Sequence, residues 1–512
     1  MGSTEEADKA TETTGGPKGD DTAHADLSVA FRNALKLGLS LLATWAVALG
    51  VRFILPRFLG PERFGQYNWA ESSAALAFLL AGLGLDTYIQ REVSVRPDHA
   101  SDFFGGIVAV RAAISTVLLA GVYVYIAHKE PSTDLRLAGI VFAVTQALVI
   151  MNASLAALLQ ASTKVGGLAI ANVVTKLVWG VGVIGVVTVT NHYYLLALPL
   201  LVGEALKSLM LWPTVRREVG LKLVWNPTVT KVVLITCLPF FVNTISYTMG
   251  NKLDIMLLKE LADPSEVGYY AAAQNIASLA MLLAPLEAWV ITPLLTRAIK
   301  RDQDEFFLIL RRAIEGILVV ALPATMMISF GAEFWMRLAC GPKFLPGSSS
   351  LEQLAPSFVF TYAAVLLATA LIIQKRAWTV TVISLSRLAL QPVLMYVLVP
   401  LMAKLLNRPG AAGMGDALVF TILEVYVSVA FLIALGKKAF DKRSAAALAK
   451  SMVALGASYG VHRALANAGP IRLVADAGVY AAVALAIGAV RPSDVKWVLH
   501  TIRNRRRGGG DA

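Results

Sequence analysis

The sequence predicts an all-α polytopic membrane protein with about fourteen transmembrane helices, arranged as two six-helix lobes plus two C-terminal helices. Its 512 residues are 56% hydrophobic and 16% charged, whereas soluble domains carry roughly 25% charged residues. Apolar runs of about 20 residues recur, the length that crosses a hydrocarbon core about 30 Å thick. Each run is expected to be a helix, because an open strand would leave unpaired backbone groups in lipid.

The apolar runs mark the predicted spans and divide the chain. They lie near residues 33–55, 65–88, 103–127, 136–161, 167–190, 193–212, 230–250, 267–294, 307–330, 355–374, 378–403, 413–436, 445–465 and 471–490. The predicted units are a disordered cytoplasmic tail at 1–26, an N-terminal six-helix lobe at 27–215, a cytoplasmic inter-lobe linker at 216–228, a C-terminal six-helix lobe at 229–436, two additional helices at 437–490 and a basic cytoplasmic tail at 491–512. The first tail is acidic and polar, so it buries too little apolar surface to fold.

One short connector occurs twice. The stretch "FLGPERFGQYNWA" precedes the second span, and "LADPSEVGYYAAA" precedes the eighth. Four residues recur 203 positions later (268 − 65): Pro61, Gly65, Tyr67 and Ala70 return as Pro264, Gly268, Tyr270 and Ala273. The repeat indicates that the two lobes are copies running in the same direction across the membrane.

Lys and Arg in short loops predict the orientation. With the N-terminus inside, the inner loops hold Arg91, Arg96, Arg216, Arg217, Lys222, Arg297, Lys300, Arg301, Lys375, Arg376, Lys437, Lys438, Lys442 and Arg443. The outer loops are poorer in Lys and Arg. Both termini are therefore expected in the cytoplasm, and both connectors on the outer face.

Ionisable residues inside the predicted spans are the candidates for a binding site, because each costs roughly 2.5–3.5 kcal/mol to insert into a bilayer. Arg111, Lys176 and Arg387 have no acidic residue on their own helical face, which favours a role in lining a central cavity. Such cations suit an anionic substrate, for example a pyrophosphate.

Lys207 and Arg52 are weaker candidates for the same substrate. Lys207 lies three residues after Glu204, so these two charges can instead neutralise each other. Arg52 and Lys252 lie nearer the span ends, where long cationic side chains can reach the interface. Both interpretations stay open for each residue.

Polar residues at helical spacing give the seventh and eleventh spans one polar face each. The two stripes consist of Asn243, Tyr247, Asn251 and Asp254, and of Thr381, Ser384, Arg387 and Gln391. Asn243 and Tyr247 are therefore further candidates for substrate binding. Such residues also join helices in membranes, which is the alternative interpretation.

Three acidic residues, Asp254, Glu287 and Glu424, are the candidates for coupling to H⁺ or Na⁺. The sequence holds no P-loop, no H-E-x-x-H, no nucleophile elbow and no Cys/His metal spacing. No catalytic residue, metal ligand or cofactor is therefore predicted, and the protein is expected to be a transporter and not an enzyme.

The chain resembles the polysaccharide transporter family, the O-antigen type flippases of lipid-linked oligosaccharides in the multidrug/oligosaccharidyl-lipid/polysaccharide exporter superfamily. The segments that carry the resemblance are "LPRFLGPERFGQYNWAESSAALAFLLAGLGLDTYIQREVS", "LPFFVNTISYTMGNKLDIMLLKELADPSEVGYYAAAQNIASLA" and "GPKFLPGSSSLEQLAP". The likeness covers most of residues 27 to about 435. It lies in the pattern of helices and connectors and contains no catalytic signature.

The resemblance implies two lobes around a central cavity that work by alternating access in the inner (cytoplasmic) membrane. It implies a flippase for undecaprenyl-diphosphate-linked oligosaccharide, moved from the inner to the outer leaflet for O-antigen or exopolysaccharide synthesis. Polysaccharide polymerase and chain-length or export proteins are the implied partners, and nucleic acid is not. The alternatives are a lipid II or multidrug/cation transporter of the same superfamily, or a membrane-bound polysaccharide polymerase.

Overall fold

The computed structural model describes residues 18–94, 96, 99–190, 192–250, 252–283 and 291–489. Regular structure in these ranges is helical, as the sequence predicts, and no strand occurs among the described residues. The chain is therefore an all-α protein built from long apolar helices.

The first helix contains two predicted spans. Helix α1 covers Lys18–Gly82 and breaks at Gly60, which has φ 75° and ψ 170°. Glycine reaches this conformation without a Cβ penalty. Pro61 then begins the second segment, where its missing N–H is not needed. The connector is thus a sharp turn between two helices.

The remaining helices follow with short loops between them. In the N-terminal half they are α2 (Leu85–Tyr88), α3 (His99–Lys129), α4 (Thr133–Ala161), α5 (Gly166–Val189) and α6 (Tyr193–Glu218). The C-terminal half begins with α7 (Pro227–Gly250), α8 (Leu253–Leu261), α9 (Pro264–Ala277), α10 (Thr292–Arg301) and α11 (Gln303–Phe330). It continues with α12 (Ala332–Cys340), α13 (Ser348–Ile373), α14 (Ala377–Leu406), α15 (Ala411–Leu435), α16 (Lys442–Ala464) and α17 (Arg472–Ala486).

Ten helices in the described part of the chain are long and apolar enough to cross a membrane. The protein is therefore a multi-pass membrane protein. The count takes the two segments of α1 together as one span, and it leaves out the less apolar α16 and also α7, whose apolar described stretch is shorter. The eighth predicted span extends into 284–290, outside the described residues. A total of fourteen spans and the predicted unit boundaries stay predictions.

The two copies of the connector touch each other. A β-carbon on Gly65 would collide with the backbone carbonyl of Pro264, and one on Gly268 would collide with that of Pro61. The contact is therefore reciprocal, backbone against backbone, and needs glycine at both positions. We call this end of the helix bundle the connector face, and the opposite end, which carries residues 219–226, the linker face.

Two reciprocal ion pairs join the halves at the connector face. Lys129 lies 2.6 Å from Glu260, and Lys259 lies 2.8 Å from Glu130. The second pair is largely buried, with side chains 18% and 11% exposed, and the Lys259 ammonium also lies over the Trp69 ring. The halves are therefore held together at this face by charge as well as by backbone contact.

Helix α7 contacts both halves. Near the linker face, Val233 and Cys237 belong to an apolar core formed with Leu85 and Phe103 of the N-terminal half. At its other end, the Gly250 carbonyl accepts a hydrogen bond from Gln391 of α14, at 3.0 Å. The helix then breaks before α8. It is thus a physical link between the halves.

We expect Gly65→Ala and Gly268→Ala each to reduce the free energy of unfolding by about 1–3 kcal/mol, the usual cost of overpacking. The reason is that the added methyl group meets a carbonyl in the opposite connector. Thermal unfolding in detergent micelles measures the effect. Gly50→Ala is the control, because open space surrounds that position. Equal stability of all three variants would contradict the contact.

Candidate functional site

A cavity of about 800 Å³ lies between the two halves. Helices α1, α5 and α6 line it from the N-terminal half, and α7, α8, α9, α13, α14 and α15 from the C-terminal half. Its charged lining residues are Arg52, Glu71, Lys176, Lys252, Arg387 and Glu424. The site therefore combines four cations with two carboxylates between apolar helices.

The cavity reaches deep below the connector face. At 1.5 Å per residue, Arg52 lies roughly 12 Å along α1 from Gly60, and Lys176 roughly 20 Å from the end of α5. Lining residues nearer the linker face, such as Ile372 and Phe431, all belong to the C-terminal half. The halves thus meet at the connector face and share the cavity below it.

Arg387 lines the cavity with its charge already paired. Its Nη2 donates a hydrogen bond to Glu424 Oε1 at 3.1 Å, and each residue is only 7% exposed. The guanidinium also lies over the Phe420 ring and against Gly250, where a β-carbon would collide with it. This predicted candidate therefore sits at the site but is neutralised by Glu424.

Three other cations face the cavity without an ion pair in the described structure: Arg52, Lys176 and Lys252. The only polar contact of Arg52 there is a 3.5 Å approach to the Ser278 hydroxyl, at the outer limit for a hydrogen bond. The Lys176 ammonium lies 4.8 Å from the centroid of the Trp179 ring. These three cations are therefore available to an anionic ligand.

Arg111 is placed away from the cavity. It is 5% exposed and donates to the carbonyls of Gly82 at 2.8 Å and Ile150 at 3.2 Å. It also donates to Ser154 Oγ at 2.7 Å, and that hydroxyl donates to Asp86 at 2.6 Å. Arg111 thus satisfies the Gly82 carbonyl at the end of α1 and joins α3 to α1 and α4.

Lys207 is also outside the cavity lining, and no salt bridge joins it to Glu204 in the described structure. Glu204 instead accepts a hydrogen bond from Asn152 Nδ2 at 2.8 Å. Asn243 and Tyr247 lie on α7, but their side chains are outside the described residues.

Of the three acidic candidates, Asp254 is the most firmly held. It accepts hydrogen bonds from Tyr270 at 3.0 Å, from Gln274 at 2.9 Å and from the Ile255 amide. A second buried carboxyl, Asp416, interacts with it electrostatically and has one oxygen without a hydrogen-bond partner. Glu424 pairs with Arg387 as described, and Glu287 lies outside the described residues.

Sequence reasoning missed Glu71 and Trp179. Trp179 lies three residues after Lys176, a spacing that places both on one helical face. Glu71 occupies the position that corresponds, 203 residues later, to Gln274. An alignment of the two repeats beyond the connectors pairs Glu71 with Gln274 and would have identified Glu71.

A helical membrane protein whose two halves enclose a charged cavity has the architecture of a transporter. The chain matches the polysaccharide biosynthesis protein family over residues 30–299, more than half of its length. It therefore belongs to that family. A comparison with curated protein sequences gives no match.

Solved structures with the same fold are transporters. The lipid II flippase MurJ in an inward closed conformation has a TM-score of 0.67 at 12% identity, covering 89% of this chain and 99% of that chain. An inward-facing multidrug resistance MATE family transporter of the MOP superfamily has a TM-score of 0.58 at 16% identity, covering 81% and 98%. MATE in the straight conformation gives 0.54 at 17% identity, covering 82% and 96%. The chain thus has the MurJ/MATE-like fold.

We expect Arg111→Ala to destabilise the protein by roughly 1–3 kcal/mol, because it removes the buried donor to the carbonyls of Gly82 and Ile150 and to the Ser154 hydroxyl. Thermal unfolding in detergent measures the loss. Lys176→Ala is the comparison, since its side chain faces a cavity, and it should cost far less. If Arg111→Ala is as stable as wild type, Arg111 does not hold these helices together.

Proposed function

We propose that the protein is a flippase that moves undecaprenyl-diphosphate-linked oligosaccharide from the inner to the outer leaflet of the cytoplasmic membrane. The observation that carries this proposal is the set of three unpaired cations, Arg52, Lys176 and Lys252, around one cavity between the two halves. A diphosphate is the ligand chemistry that several converging cations favour. The family membership supports a role in polysaccharide biosynthesis.

The charge of the cavity argues against a cation as substrate. With Arg387 and Glu424 paired, the lining residues in the described structure leave one further carboxylate, Glu71, against the three cations Arg52, Lys176 and Lys252. The lining therefore has an excess of positive charge in a low-dielectric setting, where charge interactions are strong. A multidrug/cation transporter is disfavoured for this reason. Lipid II remains the alternative substrate, since it carries the same diphosphate and MurJ has the same fold.

Alternating access is the mechanism that the architecture supports. The connector face is closed by the glycine contact and the reciprocal ion pairs. Opening of this face, with closure of the linker face, would expose the cavity first on one side and then on the other. The polyprenyl chain stays in lipid while polar lining residues hydrate the sugars.

We infer the orientation of the protein from its loop charges. Arg216, Arg217 and Lys222 lie beside the segment between the halves, which favours a cytoplasmic linker face and cytoplasmic termini. In this orientation the connector face is on the outside. In this proposal the protein is a transporter and not a polymerase, and polymerase and export proteins are its partners.

The remaining predicted contacts stay proposals. Arg387 can reach the diphosphate only if Glu424 releases it. Arg111 and Lys207 lie outside the cavity lining, and a contact of either with the substrate stays a proposal. Asn243 and Tyr247 are proposed to contact the sugars. Coupling to H⁺ or Na⁺ is proposed for Asp254, Glu287 or Glu424, and the hydrogen bonds around Asp254 support that residue best.

Exchange of a fluorescent lipid-linked oligosaccharide between the leaflets of proteoliposomes tests the proposal. We expect Arg52→Gln, Lys176→Gln and Lys252→Gln each to slow exchange about 10- to 100-fold, the equivalent of one lost hydrogen bond to a charged group. Lys404→Gln is the matched control, an exposed lysine at the end of α14.

Two results would contradict the proposal in different ways. If all three cavity variants exchange lipid at the rate of Lys404→Gln, the cations do not hold the headgroup. If wild-type protein exchanges no polyprenyl-diphosphate-linked sugar, the protein is not a flippase for this class of lipid.

A further inference from the structure

The turn between α13 and α14 lies beside the end of α15 at the linker face. The Nη1 atom of Arg376, in the turn, donates a hydrogen bond to the carbonyl oxygen of Ala434, at 2.6 Å. Next to this contact, Leu371 and Leu435 belong to one apolar core. All three helices are long and apolar enough to cross a membrane. Because the turn and the end of α15 mark where these spans stop, we expect both at the level of the lipid headgroups.

Two lysines at this place carry charges that the protein does not neutralise. Lys375 and Lys437 are exposed, and neither has an ion pair in the part of the chain that the structure describes. The neighbouring carboxylates are occupied by other cations. Asp304 lies 2.9 Å from Lys438, and Asp441 lies 3.3 Å from an arginine of α11. The surface therefore has an excess of positive charge.

Exposed apolar side chains accompany both lysines. Trp378 is 68% exposed and follows Lys375 by three residues, and Ile433 is 74% exposed and precedes Lys437 by four. Tryptophan is enriched where a membrane protein crosses from hydrocarbon to headgroups. The Arg376 hydrogen bond brings the two chain segments together. Cationic and apolar groups thus stand next to each other in the arrangement that a phospholipid requires.

We propose that Lys375, Trp378, Ile433 and Lys437, which we call the lysine surface, bind an anionic phospholipid of the leaflet at the linker face. The two ammonium groups pair with the headgroup phosphate, and the two apolar side chains lie along the upper part of the acyl chains. A zwitterionic headgroup carries its own cation beside the phosphate, so it compensates the lysines less well. The surface therefore selects for net negative charge. This inference needs no lipid-linked sugar and stands apart from the proposed function.

Quenching of Trp378 fluorescence by brominated lipids tests this inference, because this residue lies within the lysine surface. The full-length protein is reconstituted into vesicles of phosphatidylcholine and phosphatidylglycerol, with dibrominated acyl chains on one lipid at a time. The Trp378 signal is the difference between each protein and the same protein with Trp378→Phe. We expect phosphatidylglycerol to be preferred about fivefold or more, the effect of one or two lysines near an anionic surface.

Matched double variants separate the local charge from the total charge. Lys375→Gln with Lys437→Gln should bring the preference close to one, whereas Lys375→Arg with Lys437→Arg should retain it. Lys343→Gln with Lys404→Gln removes two exposed lysines at the connector face and should also leave the preference unchanged. A thermal melt checks the fold of each variant. High salt should weaken the preference of wild type, because the charges are exposed.

Three results would overturn the inference. The first is equal quenching of Trp378 by the two lipids in wild type. The second is a preference in the double glutamine variant as large as that of wild type, since the lysines would then not hold the headgroup. The third is a wild-type preference that high salt does not change, a measurement that needs no variant at the lysines.

Discussion

The reciprocal contact between the two connectors is the constraint on which the rest of the structure depends. Because Gly65 and Gly268 carry no β-carbon, each lies directly against a backbone carbonyl of the opposite half. Close approach of this kind is what small residues provide between membrane helices. With the halves fixed at this end, their inner helices enclose the cavity below it, and the ion pairs of Lys129 and Lys259 add to the same closure.

The charges inside the bundle fall into two groups with different physical roles. Arg111 donates to carbonyls and a hydroxyl, and Arg387 pairs with Glu424, so each is compensated within the protein. Arg52 and Lys176 instead face the cavity, where a ligand can supply the compensation. Arg52 is exposed and Lys176 is half-buried, so both charges are accessible from the cavity. The uncompensated pair therefore marks where an anion is expected to bind.

The helical membrane fold, the repeat and the family follow from the sequence, because span length, loop charge and the connector are local patterns. The composition of the site does not. Helical spacing compares a residue only with its own helix, so it treats Arg111 and Lys176 alike, whereas the partners of Arg111 come from α1 and α4. The same limit applies to Arg387, whose counter-ion lies on α15. Glu71 was accessible only by aligning the repeats.

Distance measurements across the connector face test most directly whether closure here governs access to the cavity. The distance would be measured between spin labels at His128→Cys and Asp263→Cys, after the buried Cys237 and Cys340 have been replaced by Ala. Both label positions are exposed and lie on opposite halves. We predict one short distance without ligand and a second, longer population when lipid-linked oligosaccharide is added in bilayers. A single unchanged short distance during active lipid exchange would contradict alternating access through this face.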